Sequence, residues 1–173
     1  MWFGSITECG LTARTIAVDL SNAFYAMNLA APMIKEVGGG SVINIASNVA
    51  LFGFPLRSPF TAAKWAIIGL TKTWAMELGK DGIRVNALCP GSVSGSRIDK
   101  VIGRDAKMRG VDIRVTRDVY TKQSSLKKFV DPEDIAGMTA FLCSDAGAKI
   151  SGQAIGIDGH TEGLGCDFDK IDD

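Results

Sequence analysis

The sequence predicts an α/β fold built on a parallel sheet. Three observations lead there: helical and strand-like segments alternate along the chain, the strand-like segments are short and β-branched, and glycine or proline separates them.

From Thr12 to about Val37 apolar residues recur at helical spacing (Ile16, Leu20, Phe24, Met27, Ala31, Ile34), which predicts one long helix over 12–37 with Pro32 as the point for a bend. Gly38-Gly39-Gly40 ends it. Ser41 to Ala46 is apolar almost throughout and reads as a strand covered on both faces. A loop carrying Gly53, Pro55 and Pro59 precedes a second helix over 58–78. Ser58 is its expected cap, Pro59 its first position, and Trp65, Ile68, Thr71, Ala75 and Leu78 its stripe.

Gly79 and Gly82 stop that helix, Ile83 to Leu88 reads as the next strand, and Pro90-Gly91 breaks it. The polar stretch to about Lys128, with Arg97, Arg104, Arg109, Arg114 and Arg117 among acids, reads as a solvated, mobile flap. Asp131-Pro-Glu-Asp134 opens a third helix to about Cys143, with its acids at the positive end of the helix dipole. Gly152 to Ile157 reads as a strand, and an acidic tail follows.

Composition narrows the function classes. The 173 residues are 46% hydrophobic and 22% charged, and 19 basic residues balance 19 acidic ones. No basic excess is available for nucleic acid or for an acidic membrane surface. No window is long and apolar enough to span a bilayer. Cys9, Cys89, Cys143 and Cys166 stand far apart beside a single histidine, His160, so no metal site is expected. Buried thiols in the reducing cytoplasm are the expectation instead.

In parallel sheets ligands gather beyond the carboxyl ends of the strands, so the chemistry is sought after Ala46, Leu88 and Ile157. Ser47 follows the first strand, and Lys64 lies one turn inside the second helix, where a hydroxyl and an ammonium can face one cleft. Gly38-Gly39-Gly40 lies between a helix and a strand, the reverse of the order a phosphate cradle needs. His160 reads as a structural or surface histidine, and the terminal aspartates lack calcium-loop spacing.

Four segments, Asn44-Ile-Ala-Ser47, Phe60-Thr-Ala-Ala-Lys64, Gly82-Ile-Arg-Val-Asn-Ala-Leu-Cys-Pro-Gly91 and Ile157-Asp-Gly159, resemble in order and interval the latter part of short-chain dehydrogenases/reductases. The resemblance covers roughly residues 12 to 160. It implies a Rossmann-like, doubly wound parallel sheet that is truncated at its N-terminal end, because the family's strand, glycine-rich turn and helix do not precede these segments. Residues 1–160 are then a partial domain and 161–173 the acidic tail.

The family relation also implies NAD or NADP as cofactor, with a tyrosine that moves the proton, a lysine that lowers its pKa and holds the nicotinamide ribose, a serine that positions the carbonyl, and an asparagine that completes a relay. Carried onto this sequence, Ser47 and Lys64 are retained, and Pro90, Gly91 and Val93 fall where the backbone meets the nicotinamide. The tyrosine position holds Phe60 and the asparagine position Asp19. A phenyl ring has no ionisable proton, so general acid–base catalysis worth roughly 10²–10⁴ in rate is lost. An Asp19–Lys64 ion pair is expected to hold structure.

The expected function is therefore a non-catalytic subunit that associates with a full-length paralogue, or with itself, through the helices at 12–37 and 58–78. The isolated chain is expected not to bind NAD(H) or NADP(H). The alternative is an NAD(P)-dependent oxidoreductase of alcohols and ketones, represented here by a truncated or inactivated chain. A binding protein that uses the cleft between Ser47, Phe60 and the flap is a third possibility.

Overall fold

A computed structural model describes residues 9–54 and 57–161. Helix α1 spans Cys9–Ile16, a π-helical turn Ala17–Ser21, and helix α2 Asn22–Glu36. Together they form the long helix that the periodicity predicts. The departure from α geometry falls at the π-turn, well before Pro32, which α2 takes within its own length. Strand β1 spans Gly40–Ile45, helix α3 Ser58–Leu78 and strand β2 Ile83–Pro90. Helix α4 covers Ser96–Arg109, α5 Ile113–Lys122 and α6 Pro132–Cys143, and strand β3 is Ala154–Ile157.

The described strands form one parallel sheet in the order β1-β2-β3. Alternation along each strand divides its side chains between two helical layers. Val42, Ile83 and Val85 meet Met27, Ala31 and Ile34 of α2 and Leu70, Trp74 and Leu78 of α3. Nearer the carboxyl ends, Ala46, Ala87, Cys89 and Ala154 pack against Leu20, Ala23, Ile67 and Ile68. On the opposite face Ser41 Oγ donates to Leu142 O at 3.4 Å, and Arg84 Nη1 donates to Leu142 O at 2.6 Å and Gly147 O at 2.9 Å. Arg84 thus places a cation on the Leu142 carbonyl at the C-terminal end of α6 and on the Gly147 carbonyl of the turn that follows. Helices on both faces make this the doubly wound α/β arrangement.

Several local expectations are corrected. The buried stripe of α3 is Ala63, Ile67, Thr71 and Trp74, while Trp65 points outward. Apolar spacing predicts the large indole inside; the small Ala63 is buried instead, and Asn44 Nδ2 of β1 donates to Thr71 Oγ1 at 2.8 Å. The N-cap of α3 is Arg57, with Ser58 already helical. β1 is not covered on both faces: Ile45 is 50% exposed. The edge of β1 opposite β2 has no strand beside it among the described residues.

The flap is two helices rather than a mobile loop. Ile102 and Ala106 of α4 and Thr116 of α5 are buried, and Asp112 caps α5 by accepting the Arg114 N–H at 2.7 Å. Cys143 is exposed, against the expectation of buried thiols, and Cys89 is buried. The acidic tail beyond Thr161, with Cys166, lies outside the described residues. No helix among the described residues is long and apolar enough to cross a membrane.

Candidate active site

The carboxyl end of the sheet gathers most of the residues singled out in the sequence. Ser47 leaves β1 in extended geometry, and Asn48–Ala50 then make one 3-10 turn. Ser47 Oγ donates to Asn48 Oδ1 at 3.5 Å, and Asn48 Nδ2 donates to Asp158 Oδ2 at 3.5 Å, just past β3. The Ser47 backbone N–H also meets the Cys89 thiol. Burial pushes that thiol up to about 11; the Ser47 N–H works against the rise and the Asp158 charge adds to it.

Phe60 and Lys64 are four residues apart near the start of α3, so they share a face. Lys64 Nζ lies 5.6 Å from the Phe60 ring centre, within cation–π range. It donates to Ile45 O at 3.2 Å and sits 3.4 Å from Asp19 Oδ1. The Lys64 and Asp19 side chains are 12% and 28% exposed, so the pair is partly withdrawn from water. Asp19 reaches it from the middle of the π-turn, a local widening that changes the direction of side chains on the helix. Three elements, α3, β1 and the π-turn, thus converge on one ammonium, and the expected Asp19–Lys64 ion pair is formed.

Pro90 ends β2, and Gly91 and Val93 lie on the segment that leaves it. Gly91 N–H donates to Ile157 O at 3.0 Å, and a Cβ at Gly91 would stand 2.8 Å from Asp158 Cβ, so only glycine fits. Val93 bridges Val130 in parallel: Val130 N–H donates to Ser92 O and Ser94 N–H to Val130 O. That pattern turns the N–H and C=O of Val93 to the opposite side. These peptide groups, with Lys64, suit the polar nicotinamide end of a dinucleotide. Gly38 and Gly39 close α2 ahead of β1 and make no phosphate cradle.

Three site features escaped sequence reasoning. Asn48 and Asp158 link Ser47 to the end of β3, and Cys89 lies beneath Ser47; only the Asp158-Gly159 turn pointed toward them. His160, at φ 66°, holds the flap: its Nδ1 is 2.6 Å from Ser125 Oγ, its carbonyl accepts the Ser125 N–H, and Gly159 O accepts that of Leu126. Tyr25 is exposed on α2, and Tyr120 lies in α5, where burial and then Asp105 raise its phenol above the ordinary value. Among the described residues no cluster of three metal-ligating side chains occurs.

Comparison with known proteins agrees with this fold. Residues 7–160 match the family model described as enoyl-(acyl carrier protein) reductase. A D-beta-hydroxybutyrate dehydrogenase from Rhizobium meliloti is 40% identical over 147 residues, which are 84% of this chain and 57% of that protein. The chain therefore spans little more than half the length of this curated relative. A short chain dehydrogenase family protein from Francisella tularensis superposes with a TM-score of 0.81 at 25% identity, over 89% of this chain and 63% of that one. L-sorbose reductase from Gluconobacter frateurii, solved with NADPH and L-sorbose, superposes at 0.83 with 26% identity, over 90% of this chain and 60% of its own.

Proposed function

Since the chain belongs to the short-chain dehydrogenase/reductase family, we propose that it is a non-catalytic member whose role is to associate with a complete dehydrogenase. The observation that carries this reading is the environment of Lys64. Its ammonium faces the Phe60 ring, where no phenol is present to be acidified, and is held by Asp19 and by the Ile45 carbonyl. A serine hydroxyl alone is too weak an acid to protonate a ketone, so Ser47 does not replace a phenol.

Association is supported by apolar side chains left in water. Tyr25, Leu29 and Met33 recur every fourth residue on α2, with Leu29 76% exposed, and Met76 of α3 is 84% exposed. These are the helices over which the resemblance implies pairing, with a full-length paralogue or with a second copy.

The second reading is an NAD(P)-dependent oxidoreductase. It draws on the retained Ser47 and Lys64 and on the outward-facing peptide groups of Val93. When bound, a nicotinamide supplies the hydride; Ser47 would orient the carbonyl and Lys64 would hold the ribose.

Native mass spectrometry of the chain purified from its own host separates the two readings. We expect a complex with a full-length dehydrogenase, and no NAD(P)-dependent turnover of alcohols or ketones by the chain alone. Turnover by the chain alone overturns the proposal in favour of the second reading, and Phe60→Tyr should then raise it.

A further inference from the structure

The flap is tied to the rest of the fold at two places. At its base Val93 bridges Val130, and Ser94 Oγ donates to Asp131 Oδ1 at 2.7 Å. The second tie lies just beyond α5. There Ser125 Oγ stands 2.6 Å from His160 Nδ1, Ser125 N–H donates to His160 O at 3.0 Å, and Leu126 N–H donates to Gly159 O at 3.1 Å. Lys127, at φ 52°, and His160, at φ 66°, are the non-glycine residues with left-handed backbone among those described, and they stand on opposite sides of this tie. Side chains of L residues rarely occupy that region, so the contacts around both residues hold them there.

What holds His160 is Asp158. Its Oδ1 accepts the His160 N–H at 3.0 Å, its Oδ2 accepts Asn48 Nδ2 at 3.5 Å, and Asn48 Oδ1 accepts the Ser47 hydroxyl at 3.5 Å. On a further side a Cβ at Gly91 would stand 2.8 Å from that of Asp158. The exits of β1, β2 and β3 therefore meet at one half-buried carboxylate. Two donors face it, and a carboxylate has an acceptor oxygen for each; an amide of the same shape offers one acceptor and one donor group.

The bonds Ser47–Asn48–Asp158–His160–Ser125 thus run without a break from the cleft to the flap. Their members are far apart in the chain: 110 positions separate Asn48 from Asp158, and 35 separate Ser125 from His160.

We propose that Asp158 is a positioning residue that couples the cleft at Ser47 to the closure of the flap. With this carboxylate in place, the turn after β1 and the Ser125–His160 tie open together; without it they open independently. The coupling belongs to the cleft itself and stands under either reading of the function.

Residue-resolved amide hydrogen exchange of the full chain tests it, because exchange reads local opening. Leu126 reports the tie. Leu51, whose N–H donates to Asn48 O at 2.8 Å, reports the turn, and the buried Ala87 of β2, whose N–H donates to Gln153 O at 2.8 Å, reports opening of the whole sheet. Asp158→Asn should speed exchange at Leu126 and at Leu51 about tenfold, the effect of a lost hydrogen bond to a charged group, and leave Ala87 unchanged. Ser125→Ala alters an exposed side chain at the flap end alone, yet it should speed Leu51 about threefold, and Asn48→Ala should do the same at Leu126. Combined, Asn48→Ala and Ser125→Ala should fall short of the product of their separate effects by about threefold, since both break one chain of bonds, and the shortfall should vanish once Asp158→Asn is added.

An unchanged Leu51 rate in Ser125→Ala would overturn the proposal, and that measurement decides the matter alone if Asp158→Asn does not fold. Equal acceleration of Ala87, Leu51 and Leu126 in Asp158→Asn would also overturn it, because Asp158 would then support the whole sheet instead of linking two of its parts.

Discussion

Lys64 and Asp19 form an ion pair at 3.4 Å across two helices, with both side chains mostly withdrawn from water. The pair occupies the ammonium that, in the family pattern, serves a phenol. Removing one member of such a pair leaves the other partly buried and short of a partner.

Asp19→Asn should therefore lower stability by about 1 kcal/mol, more than an exposed pair would cost. In a double-mutant cycle with Lys64→Met, measured by urea unfolding, the coupling should be about 0.5–1.5 kcal/mol. A coupling indistinguishable from zero would mean that Ile45 O and the Phe60 ring hold Lys64 without Asp19.

Cys89 and Cys143 should separate chemically. Cys89 is buried, with its thiol raised from 9.0 to about 11, whereas Cys143 is exposed. In the native protein at pH 8 iodoacetamide should label Cys143 at least about a hundredfold faster, as read by peptide mass. The shift also carries a sign for stability. A thiol whose folded value is raised adds stability that is complete below pH 9 and is lost as pH rises toward 11. Cys89→Ala should flatten the fall in stability over that interval by an amount on the order of 2 kcal/mol. An unchanged slope would remove Cys89 as its source.

Gly38 and Gly39 should behave differently when given a side chain, although both have positive φ. A Cβ at Gly39, φ 112°, would stand 2.5 Å from Gly82 O, whereas one at Gly38, φ 90°, meets nothing within 4 Å. Gly38→Ala should cost about 1 kcal/mol of backbone strain alone. Gly39→Ala should cost about 3 kcal/mol or more, because it also drives apart the turns that open β1 and β2. Chemical denaturation of the two variants side by side checks the order.

Local chemistry explains what could be read early. The limits of α3, Ser58–Leu78, match the sequence reading because Pro59 and Gly79 punctuate them. The capping box of Asp131 and Asp134 at the start of α6 is likewise local, closed within one turn. The flap reads as a loop in the sequence because α4 and α5 are mostly polar, and their core-facing residues are too few to outweigh the charges. The spacing of Ile98, Ile102 and Ala106 was the available signal. Helical spacing marks several faces of an apolar helix and so does not place Trp65; its indole N–H donates to Val49 O at 3.0 Å, a contact no periodicity contains.

By itself the sequence determined the alternation of helices and strands, the parallel sheet, and the segments that place the chain in its family, because propensity, punctuation and motif spacing act over a few residues. Only the tertiary structure decided what each functional group meets: Asp19 and a carbonyl at Lys64, a buried thiol and Asp158 beneath Ser47, and Ser125 at His160. Those partners lie many residues away in the chain. Their identity depends on how the layers pack and on which charges the fold brings within reach of one another, and local propensity carries neither.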